Sequence, residues 1–255
     1  MKNYFITGVS GGLGLELTKQ LVARGDFVYG VSRKKILEDP FLNLSKDKWV
    51  WQHCDVTQRK EILNIIGHQH SINFLPDVVI LNAGVISRDD NEFLMDKYQD
   101  LFQVNCFGAL KWVEEYLKEF KKVNSGHFVY ISSLANFYPF PIRANYSATK
   151  AYTSMVFECL KKKYALSGID FSVFYPGLIE TEMSSSAPVP GFFKFPVAKA
   201  ARKILESLPK GSRSVRFPLR SIFLEWMLET IPDRFLLNLL DKKFPSQRED
   251  NASGP

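Results

Sequence analysis

Over roughly the first 180 residues, short runs of β-branched and aromatic residues alternate with longer stretches in which apolar positions recur at helical spacing. The short runs predict strands at YFIT (4–7), DFVYGV (26–31), WVWQH (49–53), DVVILN (77–82), GHFVYIS (126–132) and IDFSVFYP (169–176). Several are apolar nearly throughout, as expected where a parallel sheet is covered on both faces. Helical periodicity fills 12–24, 58–69, 97–121 and 146–166. Strand and helix alternating in this way predict an α/β fold, a doubly wound parallel sheet of Rossmann type. No repeat of fixed period and no low-complexity linker divides the chain, so residues 1–245 read as a single domain.

After Pro176 the rhythm changes. The stretch 182–196 (EMSSSAPVPGFFKFP) holds four Pro or Gly breakers and three Phe and reads as a mobile apolar loop. A helix is expected near 197–207, followed by a short SVRF segment. The stretch 219–230 is expected to set Leu219, Ile222, Phe223, Trp226 and Met227 on one helical face before Pro232 breaks the chain. A second apolar run, FLLNLL (235–240), precedes a polar tail from Ser246 that is expected to be disordered. Residues 182–240 thus form a variable helical C-terminal segment. With Arg213, Arg216 and Arg220 nearby, the apolar stripe of 219–240 has three open roles: a lid, a second interface or a membrane contact. Glu225, Glu229 and Asp233 favour the first two over anionic lipid.

Composition narrows the class. The 255 residues are 45% hydrophobic and 24% charged, which excludes a disordered or collagen-like chain. No run approaches the roughly 18 apolar residues of a membrane-spanning helix. The start, MKNYFITGVSGG, enters a strand-like run after two polar residues and leaves no room for a signal peptide. The net charge of +6 is spread along the chain; its densest cluster, LKKKYAL (160–166), reads as a solvated helix face, and no nucleic-acid partner is expected. Cys54, Cys106 and Cys159 are odd in number and lack CxxC spacing, so a disulfide framework is not expected, and a reducing, cytoplasmic location is. His68-x-His70 has no ligand-type neighbours, and no metal site is expected.

The first strand runs into Thr7-Gly8-Val9-Ser10-Gly11-Gly12-Leu13-Gly14, and a helix follows at once. Glycines at such a turn let backbone approach a pyrophosphate, with the helix N-terminus supplying N–H donors and partial positive charge. The spacing is G-x3-G-x-G; it is not the G-x-G-x-x-G of ordinary dinucleotide folds, and the lysine of a P-loop is absent. Glycines here can also be purely structural. Gly8 to Gly12 also fit the G-x-S-x-G of a serine-hydrolase elbow, but that fold needs an earlier strand and only seven residues precede Gly8. Beyond the second strand, Ser32-Arg33-Lys34-Lys35 brings no acidic residue before Glu38 to hold a ribose 2′-hydroxyl. Arg33 offers a planar cation for a 2′-phosphate, which favours NADP(H) over NAD(H), unless the turn is simply a solvated basic one.

Four further segments follow in order: Leu81-Asn82-Ala83-Gly84, Val104-Asn105-Cys106-Phe107-Gly108, Ile131-Ser132-Ser133, and Tyr146-Ser147-Ala148-Thr149-Lys150. With the Thr-Gly-x3-Gly-x-Gly start, the chain resembles the short-chain dehydrogenase/reductase family across roughly residues 3–181. Tyr146 and Lys150 stand four apart and share a helix face, so an ammonium beside the phenol would favour its ionised form. The resemblance implies that Tyr146 exchanges the substrate's hydroxyl proton and that Lys150 lowers its pKa and binds the nicotinamide ribose. It implies that Ser133 bonds the carbonyl oxygen, with Ser132 on the other side of its strand. Asn105 would hold a relay water, although a helix-kinking core amide is the alternative.

Cofactor contacts carried over in the same way are Gly8, Ser10, Gly12, Leu13 and Gly14 at the pyrophosphate, and Asp55 and Val56 at the adenine. Asn82, Ala83 and Gly84 fall at the adenine ribose, and Pro176, Gly177, Ile179 and Thr181 at the carboxamide. Asp55 could equally cap the helix that begins near Thr57. The chain departs from the family after Ser133, reading Leu134-Ala135-Asn136-Phe137-Tyr138 where a small Ala-Gly pair is common. Phe137, Tyr138, Phe140, Ile142 and Phe192–Phe193 then suggest a hydrophobic carbonyl or alcohol substrate, or else ordinary core. The resemblance implies a homodimer or homotetramer built on helices 97–121 and 146–166, with Phe107 and Trp112 expected on the outward face. The competing class is a nucleotide-sensing scaffold without turnover; a complete Ser-Tyr-Lys-Asn set argues against it.

Overall fold

The computed structural model describes residues 1–34, 45, 47–86, 94–138, 143–185 and 194–230. Strands β1 (Asn3–Thr7), β2 (Phe27–Ser32), β3 (Trp49–His53), β4 (Val78–Leu81), β5 (Gly126–Ile131), β6 (Ile169–Pro176) and β7 (Ser214–Phe217) form one sheet in the order β3-β2-β1-β4-β5-β6-β7. Every pairing is parallel. Helices α1 (Gly12–Ala23), α2 (Arg59–Ser71), α3 (Met95–Phe102), α4 (Ala109–Val123), α5 (Ala144–Lys163), α6 (Val197–Ser207) and α7 (Leu219–Thr230) complete the described fold.

Alternation along the strands builds two cores. Phe5, Tyr29, Val79, Phe128, Tyr130 and Phe171 point to one face and pack with residues of α2, α4 and α5, among them Ile62, Trp112 and Phe157. Their neighbours Ile6, Val28, Ile80, Val129 and Phe174 point to the other face and meet Leu17 and Leu21 of α1 and Ile204 of α6. Both sides of the central strands are therefore covered, and these are apolar for that reason, whereas β3 at the sheet edge is only half-buried. Their observed ends fall within one residue of the expected ones. β1 is flanked by β2 on one side and β4 on the other, so the chain reverses its direction of travel there. A crevice opens at such a switch point beyond the C-terminal ends of the strands.

Four expectations need correction. The SVRF segment is a seventh strand, paired in parallel with β6 through Val173↔Ser214 to Pro176↔Phe217. The expected helix 97–121 is α3 and α4 joined by a π-helical turn, Gln103–Gly108. Trp112 is not on an outward face: it is 0% exposed, its ring 4.5 Å from that of Phe5, while Phe107 is 41% exposed. Residues five apart on a 3.6-residue helix stand about 140° apart and cannot share a face. On α7, finally, Leu219, Phe223, Trp226 and Met227 are exposed, but Ile222 turns inward onto the core. The FLLNLL run and the tail from Ser246 lie outside the described residues. Among the described residues no helix is long and apolar enough to cross a membrane.

Candidate active site

At the switch point the first turn is held by backbone and by one hydroxyl. Thr7, a polar residue ending an apolar strand, is buried, and its Oγ1 accepts the N–H groups of Asn82 (3.1 Å) and Ala83 (3.0 Å), joining the ends of β1 and β4. Asn82 returns the contact, its Nδ2 donating to the carbonyls of Thr7 (3.1 Å) and Gly8 (3.2 Å). Gly8 has φ +75°, in the left-handed region, and a Cβ there would lie 2.9 Å from the Ala83 Cα. A Cβ on Gly14 would lie 2.1 Å from the Gly8 carbonyl oxygen, so only glycine lets α1 start against the turn. Gly11 and Gly12 are exposed, Ser10 is half-buried, and the Leu13 side chain is buried in the core. The segment after β6 comes to the same place: Thr181 Cγ2 would be 3.3 Å from a Cβ on Gly12, and Ile179 bridges to Phe195. Gly177 donates its N–H to Phe217 at 2.7 Å and leaves no room for a Cβ against Ser221 of α7.

Arg33 is exposed beyond β2 and acts electrostatically on Asp55 beyond β3. Burial tends to raise the Asp55 carboxyl, but the Thr57 N–H and hydroxyl, each 2.8 Å from its Oδ1, together with Arg33 and His53 hold it below the usual value. Asp55 does not cap α2, whose N-cap is Gln58 with no side-chain cap bond; its carboxylate closes a turn onto Thr57 just ahead of the helix. The Val56 side chain belongs to the core, against Gly108 of the π-turn.

Across the crevice, Ser133 follows β5 and its hydroxyl accepts the Ala135 N–H at 3.1 Å. Ser132 points away and accepts a 2.7 Å bond from Ser154. Tyr146 lies in the first turn of α5, where burial pushes its phenol up; a hydrogen bond with Ser133 and the charge of Arg143 pull in the opposite direction. One turn on, Lys150 is buried and donates to the Ile131 carbonyl at 2.9 Å, its Nζ 5.8 Å from the centre of the Tyr146 ring. Loss of solvent brings this ammonium down to about 8, with Cys106 opposing. A Cβ on Gly84 would meet Lys150 Nζ at 3.5 Å, so the end of β4 borders the same group.

Asn105, in the π-turn, is fully buried. Its Oδ1 accepts the Val85 N–H (2.8 Å), and its Nδ2 donates to the Val85 carbonyl (2.9 Å) and to Thr149 Oγ1 (3.1 Å). The side chain is engaged on both atoms, as the core-amide alternative required. Phe137 packs on Tyr175 with ring centres 4.8 Å apart, under the Arg216 guanidinium at 3.3 Å, and Tyr138 is buried. Phe140, Ile142, Phe192 and Phe193 lie outside the described residues. Sequence reading passed over Thr7, although its place in the glycine motif signalled it. The Ile131 carbonyl carries no sequence signal at all.

Comparison with known proteins identifies the family. A family profile described as short chain dehydrogenase matches residues 2–189. An uncharacterized oxidoreductase of Myxococcus xanthus is 26% identical over 238 residues, 89% of this chain and 92% of the relative. The crystal structure of a short-chain dehydrogenase from Streptomyces avermitilis superposes with a TM-score of 0.79 at 25% identity, covering 95% of this chain and 98% of the other. One from Burkholderia cenocepacia, in complex with NADP, superposes with a TM-score of 0.78 at 24% identity, covering 94% and 97%. With a parallel sheet of this order and a family match over most of its length, the chain belongs to the short chain dehydrogenase family of oxidoreductases.

Proposed function

We propose that the protein is an NADP(H)-dependent oxidoreductase that interconverts a carbonyl and an alcohol on a hydrophobic small molecule, by a Ser-Tyr-Lys-Asn mechanism. The observation that carries this reading is the convergence of Ser133, Tyr146 and Lys150 beside a turn that excludes any Cβ at Gly14. The turn fits a dinucleotide: Gly8, Ser10, Gly12, Leu13 and Gly14 would offer main-chain contacts to the pyrophosphate at the N-terminus of α1. Asp55 and Val56 would border the adenine, Asn82 to Gly84 its ribose, and Pro176, Gly177, Ile179 and Thr181 the carboxamide. Arg33 would meet a 2′-phosphate, and the NADP held by the Burkholderia cenocepacia structure supports that preference by analogy.

When bound, the nicotinamide supplies or takes up the hydride. In the direction of reduction, the Ser133 hydroxyl donates to the carbonyl oxygen and fixes its orientation. The Tyr146 hydroxyl delivers its proton to that oxygen as the C–O bond becomes an alcohol, leaving a phenolate. Lys150 stabilises the phenolate by its charge and also holds the nicotinamide ribose. With the Asn105 side chain occupied by Val85, a water relay to Lys150 would use the Asn105 main-chain carbonyl. Phe137 and Tyr138 support an apolar substrate. We read the exposed Phe107, Tyr152 and Met155 as an association face, consistent with a homodimer or homotetramer, and the location as cytoplasmic.

NADPH oxidation measured against a panel of aldehydes and ketones tests this reading. Tyr146→Phe removes the titrating hydroxyl and keeps the ring, so turnover should fall by about 10²–10⁴-fold with NADPH affinity unchanged. A variant that reduces the same substrate at the wild-type rate would overturn the mechanism.

A further inference from the structure

A buried ammonium that must act at a reaction centre has to stay charged without being captured by a carboxylate. Lys150 is 4% exposed, and among the described residues no carboxylate pairs with it. Among the described residues it donates to the Ile131 carbonyl. The titratable groups that face it are Cys106 from the π-turn, Tyr146 from its own helix and Tyr130 from β5. The nearest ring is that of Tyr130: Lys150 Nζ stands 5.0 Å from its centre, over the face. An aromatic face attracts a cation within about 6 Å, and more strongly where water is excluded.

Two further features concern Tyr130 itself. It is fully buried, and Phe157 packs on its ring at 5.3 Å between centres, so the ring cannot turn away from the ammonium. Its hydroxyl is buried beside the Thr153 hydroxyl, which tempers the strong rise that burial gives the phenol. The Thr153 hydroxyl itself is turned to the carbonyls of Thr149 (3.1 Å) and Asn105 (3.4 Å). The ring, and not the hydroxyl, is what Tyr130 turns to Lys150.

We propose that Tyr130 is a positioning residue for Lys150, whose ring face keeps the ammonium charged and aligned on the Ile131 carbonyl. The proposal rests on the reading of Lys150 as a working group of the site. A ring quadrupole holds a cation without neutralising it, so the positive field of Lys150 still reaches the Tyr146 phenol; an ion pair would cancel that field. The sign follows directly. Burial favours the neutral amine and the ring favours the ammonium, so a poorer ring lowers the pKa of Lys150 and moves the alkaline limb of any Lys150-dependent activity to lower pH.

The test reads Lys150 itself. The lysine Cε chemical shift is followed by NMR against pH, with the Lys150 signal assigned by its loss in Lys150→Arg. It is compared between wild type, Tyr130→Phe, and protein carrying a trifluorinated phenylalanine at position 130. All three keep a ring of nearly the same volume. Tyr130→Phe should titrate with the wild type, and the fluorinated ring, whose face no longer attracts cations, should titrate about one pH unit lower. Coincident curves for the two phenylalanine rings would overturn the proposal, as would a shift caused by Tyr130→Phe alone, which would assign the effect to the hydroxyl. Neither cofactor nor substrate enters the measurement. A wild type that fails to bind NADPH would refute the proposed function and leave this result standing.

Discussion

At the N-terminal edge of the sheet, polar groups close on one another. Asp77 accepts the Asn3 N–H at 2.7 Å, Asp26 accepts the Lys2 N–H at 2.9 Å, His127 bonds the Ser172 hydroxyl at 2.8 Å, and Asp170 takes both the N–H and the hydroxyl of Ser212. At the C-terminal edge of the same strands, no carboxylate among the described residues pairs with Lys150, Gly11 and Gly12 are exposed, and so is Arg33. A buried ammonium without a counter-charge and exposed glycine backbone face the crevice at one edge, which is where a ligand would meet them. The polar groups named at the other edge answer one another. The difference teaches where stability and chemistry are separated in this molecule. Substitutions at the first edge should act through stability, and at the second through binding and turnover.

The largest effect that would break this division is expected at the glycine turn. Gly14→Ala forces a methyl against the Gly8 carbonyl and within 2.6 Å of Asn82 Nδ2, so the turn has to open and the β1–β4 junction loosens. Cofactor binding should be lost, together with roughly 2–3 kcal/mol of stability in urea melts. Gly11→Ala is the matched control: nothing stands within 4 Å of its Cβ, and its extended backbone suits any residue. It should change stability by less than about 0.5 kcal/mol.

Arg33→Ala sharpens the comparison from the binding side. A charge-assisted contact to a 2′-phosphate is worth about 1.5–3 kcal/mol, so NADPH affinity should fall roughly tenfold to a hundredfold with NADH affinity and stability unchanged. Fluorescence titration checks this; equal affinities for the two cofactors in the wild type would mean that the basic turn is merely solvated.

His127 sharpens it from the other edge. Burial depresses its imidazole to about 4, with Asp170 opposing and Lys2 assisting. The unfolded chain, with an ordinary value near ~6.5, binds the proton first. Its contribution is therefore complete above that value and is lost as pH falls towards 4. Urea stability should drop by on the order of 2 kcal/mol from pH 7 to pH 5 through this residue. His127→Asn should remove that component and leave NADPH affinity at pH 7 untouched.

Much of this was legible in the sequence because it is local. Two-sided burial makes strands apolar throughout, a strand-to-helix glycine turn has a fixed spacing, and Tyr146 and Lys150 stand one helical turn apart. What escaped depends on packing between distant segments. The π-turn forms where Gly108 meets Val56, at a point where a Cβ would be 2.7 Å from the valine methyl, and nothing in residues 97–121 announces that neighbour. Trp112 was assigned to an outward face, and Ile222 to the same face as Phe223 and Trp226, because apolar groups were counted without asking which helix side the sheet would claim. The Ile131 carbonyl and the Tyr130 ring lie in a strand that reads as plain core, and only the fold turns them toward Lys150.

Hydrogen–deuterium exchange with and without saturating NADPH tests the division between the two edges most directly. Protection is expected in Gly8–Gly14, Asn82–Gly84 and Gly177–Thr181, with Asn3, Asp77, His127 and Asp170 unchanged. Protection centred on the N-terminal edge, or none at the glycine turn, would contradict the account.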